Sequence, residues 1–463
     1  MNIIKISDKN ITLISGFINS TYIFFLIASA LLSLSELDLA IWFSLIFFLN
    51  INNLLDFGLS NNILRTTSQL SDGVRIIPKF NIIENNKTQK KLNKILINQN
   101  LTIFYKKIFF YRVVQFLLTL VPFVFILNYF FYERLLLKFE PDIINLIFLL
   151  ISISLYYSIA SLNTLNFRIG IGKLYHARIL EILFNISKMI IISLVILFFK
   201  DILIFLFSFV VLNIIYFYYQ TKFLKNEINY KKRITFKNIG FSRLLPNIGI
   251  SGLNSLSAFI LFQVLNLITI KFGSNQEIIS YSFLVRVVNL FRTVSFSSII
   301  ASLNTYSKNR INNVSSNSKL FFRDLIFSLK TFTFLSFLFL CFVFVISFMD
   351  INIHNLKNYL MPFNLILYYL FINFLELHQS CHNQFLLTKN YNPFLFPSLF
   401  SSSFIAIFSF MVFPTYGFFG SFTVQLIIQL FFNHWYSVYL NASDLGYSVG
   451  NYYKYLIGIK KNE

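Results

Sequence analysis

Four basic residues lie inside long apolar stretches of this chain: Arg112, Lys188, Arg286 and Arg292. A charged side chain at membrane depth is costly, and it usually faces a helix-bundle interior or a water-filled cavity. Guanidinium and ammonium groups bind phosphate and carboxylate oxygens strongly. We therefore expect each of the four to contact an anionic ligand or to pair with another helix. For Arg112 and Arg292 the sequence leaves both interpretations open.

Arg286 lies within a polar stripe. Ser282, Arg286, Asn289, Thr293 and Ser297 are spaced so that they share one face of an α-helix. The residues around them are mostly Val, Leu, Phe and Ile. The pattern predicts a water-accessible lining with Arg286 as a ligand contact, supported by Ser282, Asn289 and Thr293. The alternative is that Arg286 pairs with an acid to hold helices together.

A second polar stripe precedes it in the chain. Arg178, Glu181, Asn185 and Lys188 follow helical spacing, with Lys188 near the middle of the apolar stretch. Glu181, Asn185 and Lys188 are candidate substrate-binding residues. A contact between Glu181 and Lys188, or a salt bridge to another helix, is an equally good interpretation of the same pattern.

The histidines do not predict a metal site. His378 and His382 have i, i+4 spacing, but Glu376 is not placed as it is in HExxH, and an interfacial helix end fits better. The two cysteines, Cys341 and Cys381, form no CxxC pair. No Walker or GxSxG sequence occurs. We therefore expect neither a cofactor, nor a metal, nor an enzymatic activity.

The composition is that of an integral membrane protein. Apolar residues make up 56% of the chain and charged residues only 12%, whereas soluble proteins carry about 25% charged residues. The apolar residues fall in blocks of about 20, the length that crosses a bilayer core. The predicted fold class is all-α, with about twelve transmembrane helices. The predicted helices cover 11–34, 39–58, 108–131, 143–166, 179–199, 202–220, 246–270, 280–302, 331–349, 358–380, 394–413 and 419–440.

The net charge of +21 reflects topology rather than nucleic-acid binding, because Lys and Arg cluster between the apolar blocks. The main clusters lie at 65–107, 222–243 and 308–330. If both termini are cytoplasmic, few basic residues reach the outer loops, as the positive-inside rule requires. The five that do are Arg134, Lys138, Lys200, Lys271 and Lys357.

A basic polar segment near the middle of the chain predicts two six-helix lobes. Ser15-Gly16 early in helix one and Ser251-Gly252 early in helix seven suggest that the lobes are repeats. We also expect an interfacial helix near 91–105. The predicted N-terminal lobe, cytoplasmic inter-lobe loop, C-terminal lobe and cytoplasmic tail are residues 1–225, 226–245, 246–440 and 441–463.

Two short motifs carry a family resemblance. Leu55 to Ser60 reads LDFGLS and is followed by Arg65; Pro414 to Ser421 reads PTYGFFGS. The first resembles the end of helix two of bacterial oligosaccharide flippases of the Wzx type, and the second resembles the hairpin between their helices eleven and twelve. The stretch 281–307 resembles their helix eight. The loop after helix four, with Arg168 and Lys173, departs from the pattern. The matching motif residues are Asp56, Gly58, Arg65, Pro414, Gly417 and Gly420.

This resemblance implies membership of the multidrug/oligosaccharidyl-lipid/polysaccharide exporter superfamily, abbreviated MOP. It implies two six-helix lobes around a central cavity that work by alternating access. The implied substrate is a polyprenyl-pyrophosphate-linked oligosaccharide, moved across the bacterial inner membrane for O-antigen, lipopolysaccharide or capsule assembly. The implied partners are membrane lipids, H+ or Na+ as coupling ion, and the polysaccharide polymerase machinery.

Two other classes of protein remain alternatives. A cation-coupled multidrug exporter of the same superfamily would favour an acid in the N-terminal lobe, where Glu181 is well inside a helix and Asp56 lies at a helix end. A membrane-embedded sugar polymerase or ligase would need a long outer loop with arginines, and the predicted outer loops are short. A scaffold without transport activity fits least, because it has no need for polar stripes at membrane depth.

Overall fold

The computed structural model describes residues 8–71, 94–228, 244–312, 314–348, 356–387 and 393–456. Within these ranges the chain is all-α, as predicted, and contains no strand. Apart from a 3-10 turn at Leu356–Tyr359, the helices are α1 (Asp8–Ser33), α2 (Glu36–Leu49), α3 (Asn52–Leu55), α4 (Leu59–Ser71), α5 (Lys94–Leu136), α6 (Pro141–Gly170), α7 (Leu174–Phe199), α8 (Ile202–Glu227), α9 (Leu245–Phe272), α10 (Asn275–Asn312), α11 (Val314–Phe348), α12 (Phe363–Leu387), α13 (Leu395–Asp444) and α14 (Val449–Leu456).

Nine helices among the described residues are long and apolar enough to cross a bilayer. One of them, α13, is 50 residues long and contains non-helical backbone at Gly417 (φ 56°, ψ −142°). The predicted eleventh and twelfth helices are the two arms of α13 on either side of this glycine. The protein is therefore a multi-pass membrane protein.

Several predicted helix boundaries are wrong, and in each case the helix is longer than predicted because it extends beyond its apolar block. Of the interfacial helix expected near 91–105, the described part, 94–105, forms the first turns of α5, which continues without a break into the apolar block. The basic stretch 308–330 is also mostly helical, since α10 ends at Asn312 and α11 begins at Val314. Neither 94–121 nor 308–330 contains Gly or Pro, so nothing in these polar sequences stops a helix.

The predicted second helix, 39–58, is interrupted at Asn50 and Ile51, between α2 and α3, and it ends at the LDFGLS motif. Phe57 (φ 49°) and Gly58 (φ 71°) adopt left-handed backbone between α3 and α4. The Asp56 carboxylate accepts hydrogen bonds from the Ser60 N–H and hydroxyl, both at 2.9 Å, and so caps the new helix. Side chains of α9 lie against this elbow, since Asn62 Nδ2 donates to Ser251 Oγ at 3.2 Å.

The chain forms two compact units, Met1–Phe259 and Ile260–Glu463. In the first, α1 packs along α7, and α6 contacts both α4 and α8. In the second, α11 packs along α10, and α12 contacts α10, α11 and α13. The first unit includes the N-terminal half of α9, the predicted helix seven. The division into lobes at 226–245 stays a prediction, and 229–243 lie outside the described residues.

An ion pair joins the C-terminal ends of α6 and α8. Arg168, expected in a loop, is a buried residue in the last turn of α6. Its guanidinium donates to both carboxylate oxygens of Glu227, at 2.8 and 2.9 Å, and to Gln220 Oε1 at 2.7 Å. These bonds hold the last turn of α6 against α8, so Arg168 is part of a helix and not of the loop in which the sequence placed it.

Candidate functional site

A polar cavity of about 270 Å³ lies within the first unit. Its walls come from α1, the α2–α3 junction, α6, α7 and α8, and they combine amide and hydroxyl groups with aromatic rings. The predicted residues Glu181, Asn185 and Lys188 all face it. The remaining lining residues are Tyr22, Leu49, Asn50, Asn52, Ser158, Ser161, Leu162, Leu165, Phe184, Phe209, Asn213 and Tyr216.

Lys188 is the cation of this cavity. The residue is only 7% exposed, and its Nζ lies 3.4 Å from Asn213 Oδ1 and 3.5 Å from the centroid of the Phe209 ring. The Asn213 amide is itself held by a hydrogen bond of 2.8 Å to Ser154 Oγ. Among the described residues, no carboxylate oxygen lies within 4.0 Å of Lys188 Nζ. The ammonium group thus faces a polar cavity without an anionic partner from those parts of the chain.

Glu181, two turns before Lys188 on α7, has other partners. Arg178 Nη1 donates to Glu181 Oε2 at 2.7 Å, and the Ser15 hydroxyl of α1 donates to the same oxygen at 2.6 Å. The expected alternative of a Glu181–Lys188 pair is therefore wrong: the carboxylate pairs with Arg178. The cavity thereby contains one carboxylate that is paired with an arginine, and the Lys188 cation two helical turns further along α7.

The second unit contains a buried ion pair. Arg292 Nη1 of α10 lies 3.2 Å from Glu376 Oε2 of α12. The other carboxylate oxygen accepts hydrogen bonds from Gln425 Nε2 at 2.5 Å and from Gln429 Nε2 at 2.7 Å, both on α13. The guanidinium also lies 4.2 Å from the centroid of the Phe262 ring. Glu376 is 2% exposed, so this network joins three helices rather than lining an open site.

The predicted stripe around Arg286 lies on α10 in the second unit. Its members differ in exposure, since Ser282 is buried, Arg286 and Asn289 are half-buried, and Thr293 is exposed. The Thr293 hydroxyl donates to the Asn289 carbonyl at 2.8 Å, a local bond within the helix. These residues share a helix face as expected, and their role as ligand contacts stays a prediction.

Arg112 is buried within the first unit. Its Nη1 donates to the Ala160 carbonyl of α6 at 3.3 Å. Its guanidinium lies 4.9 Å from the centroid of the Phe109 ring and 5.4 Å from that of Phe217. Rings on two helices therefore surround this buried cation, and it is not among the cavity-lining residues.

The histidines of α12 are not at an exposed helix end. His382 is fully buried, and its Nε2 lies 2.9 Å from the Tyr452 hydroxyl of α14. His378 and His382 are adjacent, with ring centroids 4.4 Å apart. The described residues contain no group of three or more His, Cys, Asp or Glu arranged to hold a metal ion. The α14 helix covers this part of α12, and the expected position of the two histidines at the membrane interface stays a prediction.

The family-motif residues occupy two bends. Asp56 and Gly58 form the elbow between α3 and α4, and Arg65 is exposed on α4. Gly417 is the bend of α13. A Cβ atom at Gly420 would overlap Val412 and approach Tyr416. The absence of a side chain at position 420 thus lets this turn of α13 pack against Val412 and Tyr416, so the PTYGFFGS motif has a packing role.

Most of the cavity-lining residues carry no recognisable signal in the sequence. Phe209, Asn213 and Tyr216 lie on α8, whose sequence reads as an ordinary apolar helix. The one available signal was Asn213, a polar residue in the middle of an apolar stretch. In the second unit, the i, i+4 spacing of Gln425 and Gln429 was a similar signal for the Glu376 network. Both signals identify a polar face but not its partner helix.

No protein-family model and no curated protein sequence matches the chain. Solved structures do match. The chain is similar to the lipid II flippase MurJ in an inward closed conformation, with 13% identity over 96% of this chain and 89% of that one and a TM-score of 0.62. It is similar to an inward-facing multidrug resistance MATE family transporter of the MOP superfamily, with 11% identity, 93% and 95% coverage and a TM-score of 0.60. A MATE structure in the straight conformation matches at 12% identity, 95% coverage of both chains and a TM-score of 0.58. The chain therefore has the fold shared by these flippase and multidrug-transporter structures.

Proposed function

We propose that this chain is a flippase that moves a polyprenyl-pyrophosphate-linked oligosaccharide from the cytoplasmic to the outer leaflet by alternating access. The observation that carries the proposal is Lys188, a buried cation in a polar cavity without a carboxylate partner among the described residues. Burying a charge without a partner is unfavourable, so the site favours a ligand that supplies negative charge. A pyrophosphate has that charge, and its oxygens accept hydrogen bonds from ammonium groups.

The rest of the cavity suits the sugar next to the pyrophosphate. Asn50, Asn52 and Asn185 supply amide groups, and Tyr22 and Tyr216 supply rings with hydroxyls. Amides can donate and accept hydrogen bonds with sugar hydroxyls, and rings can cover the apolar face of a sugar. The proposed location is the bacterial inner membrane with both termini cytoplasmic. The proposed pathway is O-antigen or capsule assembly, together with polysaccharide polymerase machinery, and H+ or Na+ is the proposed coupling ion.

The proposal is tested in cells that need this protein for surface polysaccharide. Lys188→Met, which keeps the length of the side chain and removes the charge, should abolish surface polysaccharide and cause lipid-linked oligosaccharide to accumulate. Lys200→Asn is the matched control, because it removes a charge at the end of the same helix and Asn tolerates the left-handed backbone there (φ 52°). Normal export by Lys188→Met at normal protein levels would refute the role of Lys188.

The second candidate is a cation-coupled multidrug exporter. It is supported by the fold shared with MATE transporters and by the presence of Glu181 in the cavity. The pairing of Glu181 with Arg178 weakens it, because that carboxylate is already neutralised. Export of cationic drugs that is lost in Glu181→Gln and retained in Lys188→Met would favour this second function over the flippase.

A further inference from the structure

Three aromatic rings surround the Lys188 ammonium. The Nζ atom lies 3.5 Å from the ring centroid of Phe209 on α8, and 5.8 Å from those of Tyr22 on α1 and Phe184 on α7. We call these three residues the aromatic cage. Phe209 is its closest member and is only 3% exposed, so its ring position is fixed by the surrounding helices.

The aromatic cage places partial negative charge beside the ammonium, where the described polar groups provide little of it. One carbonyl dipole, that of Asn213 at 3.4 Å, faces the ammonium. The face of an aromatic ring carries partial negative charge and attracts a cation within about 6 Å of its centroid. The attraction is strongest when the cation is shielded from water. A ring at 3.5 Å can therefore stabilise the ammonium form of Lys188 where a carboxylate would otherwise be needed.

Rings also suit a site that must bind and release an anion. A carboxylate beside Lys188 would compete with pyrophosphate for the same ammonium hydrogens and would repel its charge. An aromatic ring does neither, since it accepts no strong hydrogen bond and carries no net charge. The aromatic cage can therefore hold the cation while the cavity is empty and leave it available to an incoming phosphate oxygen.

We propose that the aromatic cage, with Phe209 as its main positioning residue, keeps Lys188 charged and aimed into the cavity as a receptor for an anionic lipid headgroup. This inference rests on the proposed function, and it assigns a role to a phenylalanine that is otherwise part of the helix packing. It requires that the electron density of the Phe209 ring, and not only its shape, determines affinity for the anion.

The test measures binding of farnesyl pyrophosphate and of farnesol to the purified full-length protein in detergent. Phenylalanine analogues with one, two and three ring fluorines are placed at position 209, because fluorine withdraws charge from the ring face with little change in shape. Affinity for farnesyl pyrophosphate should fall stepwise along the series, by roughly 5- to 30-fold in total. Phe209→Leu should lose a similar factor, and Phe209→Tyr should retain wild-type affinity. Farnesol binding should not change.

Phe205 provides the matched control. It lies one turn earlier on α8 and is 1% exposed, and its ring contacts those of Trp42 and Phe209 but not the Lys188 ammonium. The same fluorinated series at 205 should leave both affinities unchanged. A general packing effect would instead weaken binding equally at 205 and 209, and that result would overturn the inference.

Two results separate this inference from the proposed function. One result is that Lys188→Met abolishes the preference for farnesyl pyrophosphate over farnesol while the fluorinated series at 209 has no effect. That result would refute the role of the aromatic cage and support the anion site at Lys188. If the wild-type protein has no such preference and Lys188→Met changes nothing, the proposed anion site fails and the cage fails with it.

Discussion

Arg292 Nη1 lies 3.2 Å from Glu376 Oε2, so an ion pair inside the second unit joins α10 to α12. Gln425 and Gln429 complete the hydrogen bonding of the carboxylate. A buried pair of this kind is costly to break from one side, because the remaining charge is left without a partner.

Glu376→Gln should therefore lower the free energy of unfolding by about 3 kcal/mol. Arg292→Gln combined with Glu376→Gln should cost less than the sum of the two single changes, since no unpaired charge remains. Unfolding of the purified protein in detergent measures both. Lys138→Gln is the control: its pair with Asp38 is partly exposed, and it should change stability by less than about 1 kcal/mol. Additive effects of the two single variants would contradict the pairing.

The elbow between α3 and α4 should require glycine at position 58 for two reasons. Gly58 has a positive φ of 71°, and an added Cβ would overlap Ser251 of α9. Gly172 has a similar φ of 82° but open space around it. Gly172→Ala should thus cost about 1 kcal/mol for backbone conformation, and Gly58→Ala should cost at least about 2 kcal/mol more because of the overlap.

Thermal unfolding of the two glycine variants makes this comparison directly. Ser251→Gly should recover part of the stability lost in Gly58→Ala, because it removes the side-chain carbon that the new methyl group meets. Equal losses in Gly58→Ala and Gly172→Ala would mean that α9 does not pack against the elbow.

Arg286 should be essential for transport without being essential for folding. Its stripe on α10 predicts contact with the pyrophosphate, so Arg286→Ala should abolish oligosaccharide export at normal membrane levels. Arg286→Lys should retain part of the activity, because it keeps the charge but not the planar fork of donors. Export assays alongside immunoblots of membranes measure this, with the exposed Lys319→Ala on α11 as control. A variant that fails only because it is degraded would indicate a structural role.

The fold class was predictable from the sequence, whereas the partners of the polar side chains were not. Apolar blocks predict helices, because membrane thickness sets the length of a spanning segment, and the resemblance of PTYGFFGS to a family hairpin predicts a bend there. The basic stretch 308–330 lies between two predicted helices, 280–302 and 331–349, and its lack of Gly and Pro allows helix. Local composition thus predicts which segments are apolar enough to span a membrane. It is less informative about the residue at which a helix ends.

The site was partly predictable for a similar reason. The stripe on α7 identified Glu181, Asn185 and Lys188, since helical spacing alone places them on one face. It did not identify Asn213 or Phe209, because contact between α7 and α8 depends on tertiary packing. The pairing of Glu181 with Arg178 instead of Lys188 also depends on geometry: both pairings satisfy the spacing of a helix.

The most direct test of the central claim is flipping by the purified protein in liposomes. Two fluorescent polyprenyl lipids with the same oligosaccharide are compared, one linked through pyrophosphate and one through a neutral ether, and the fraction protected from a membrane-impermeant quencher is followed over time. The wild-type protein should flip the pyrophosphate lipid at least about tenfold faster than the neutral one, and Lys188→Met should remove that difference. Equal rates for the two lipids in the wild-type protein, or an unchanged difference in Lys188→Met, would contradict an anion site at Lys188.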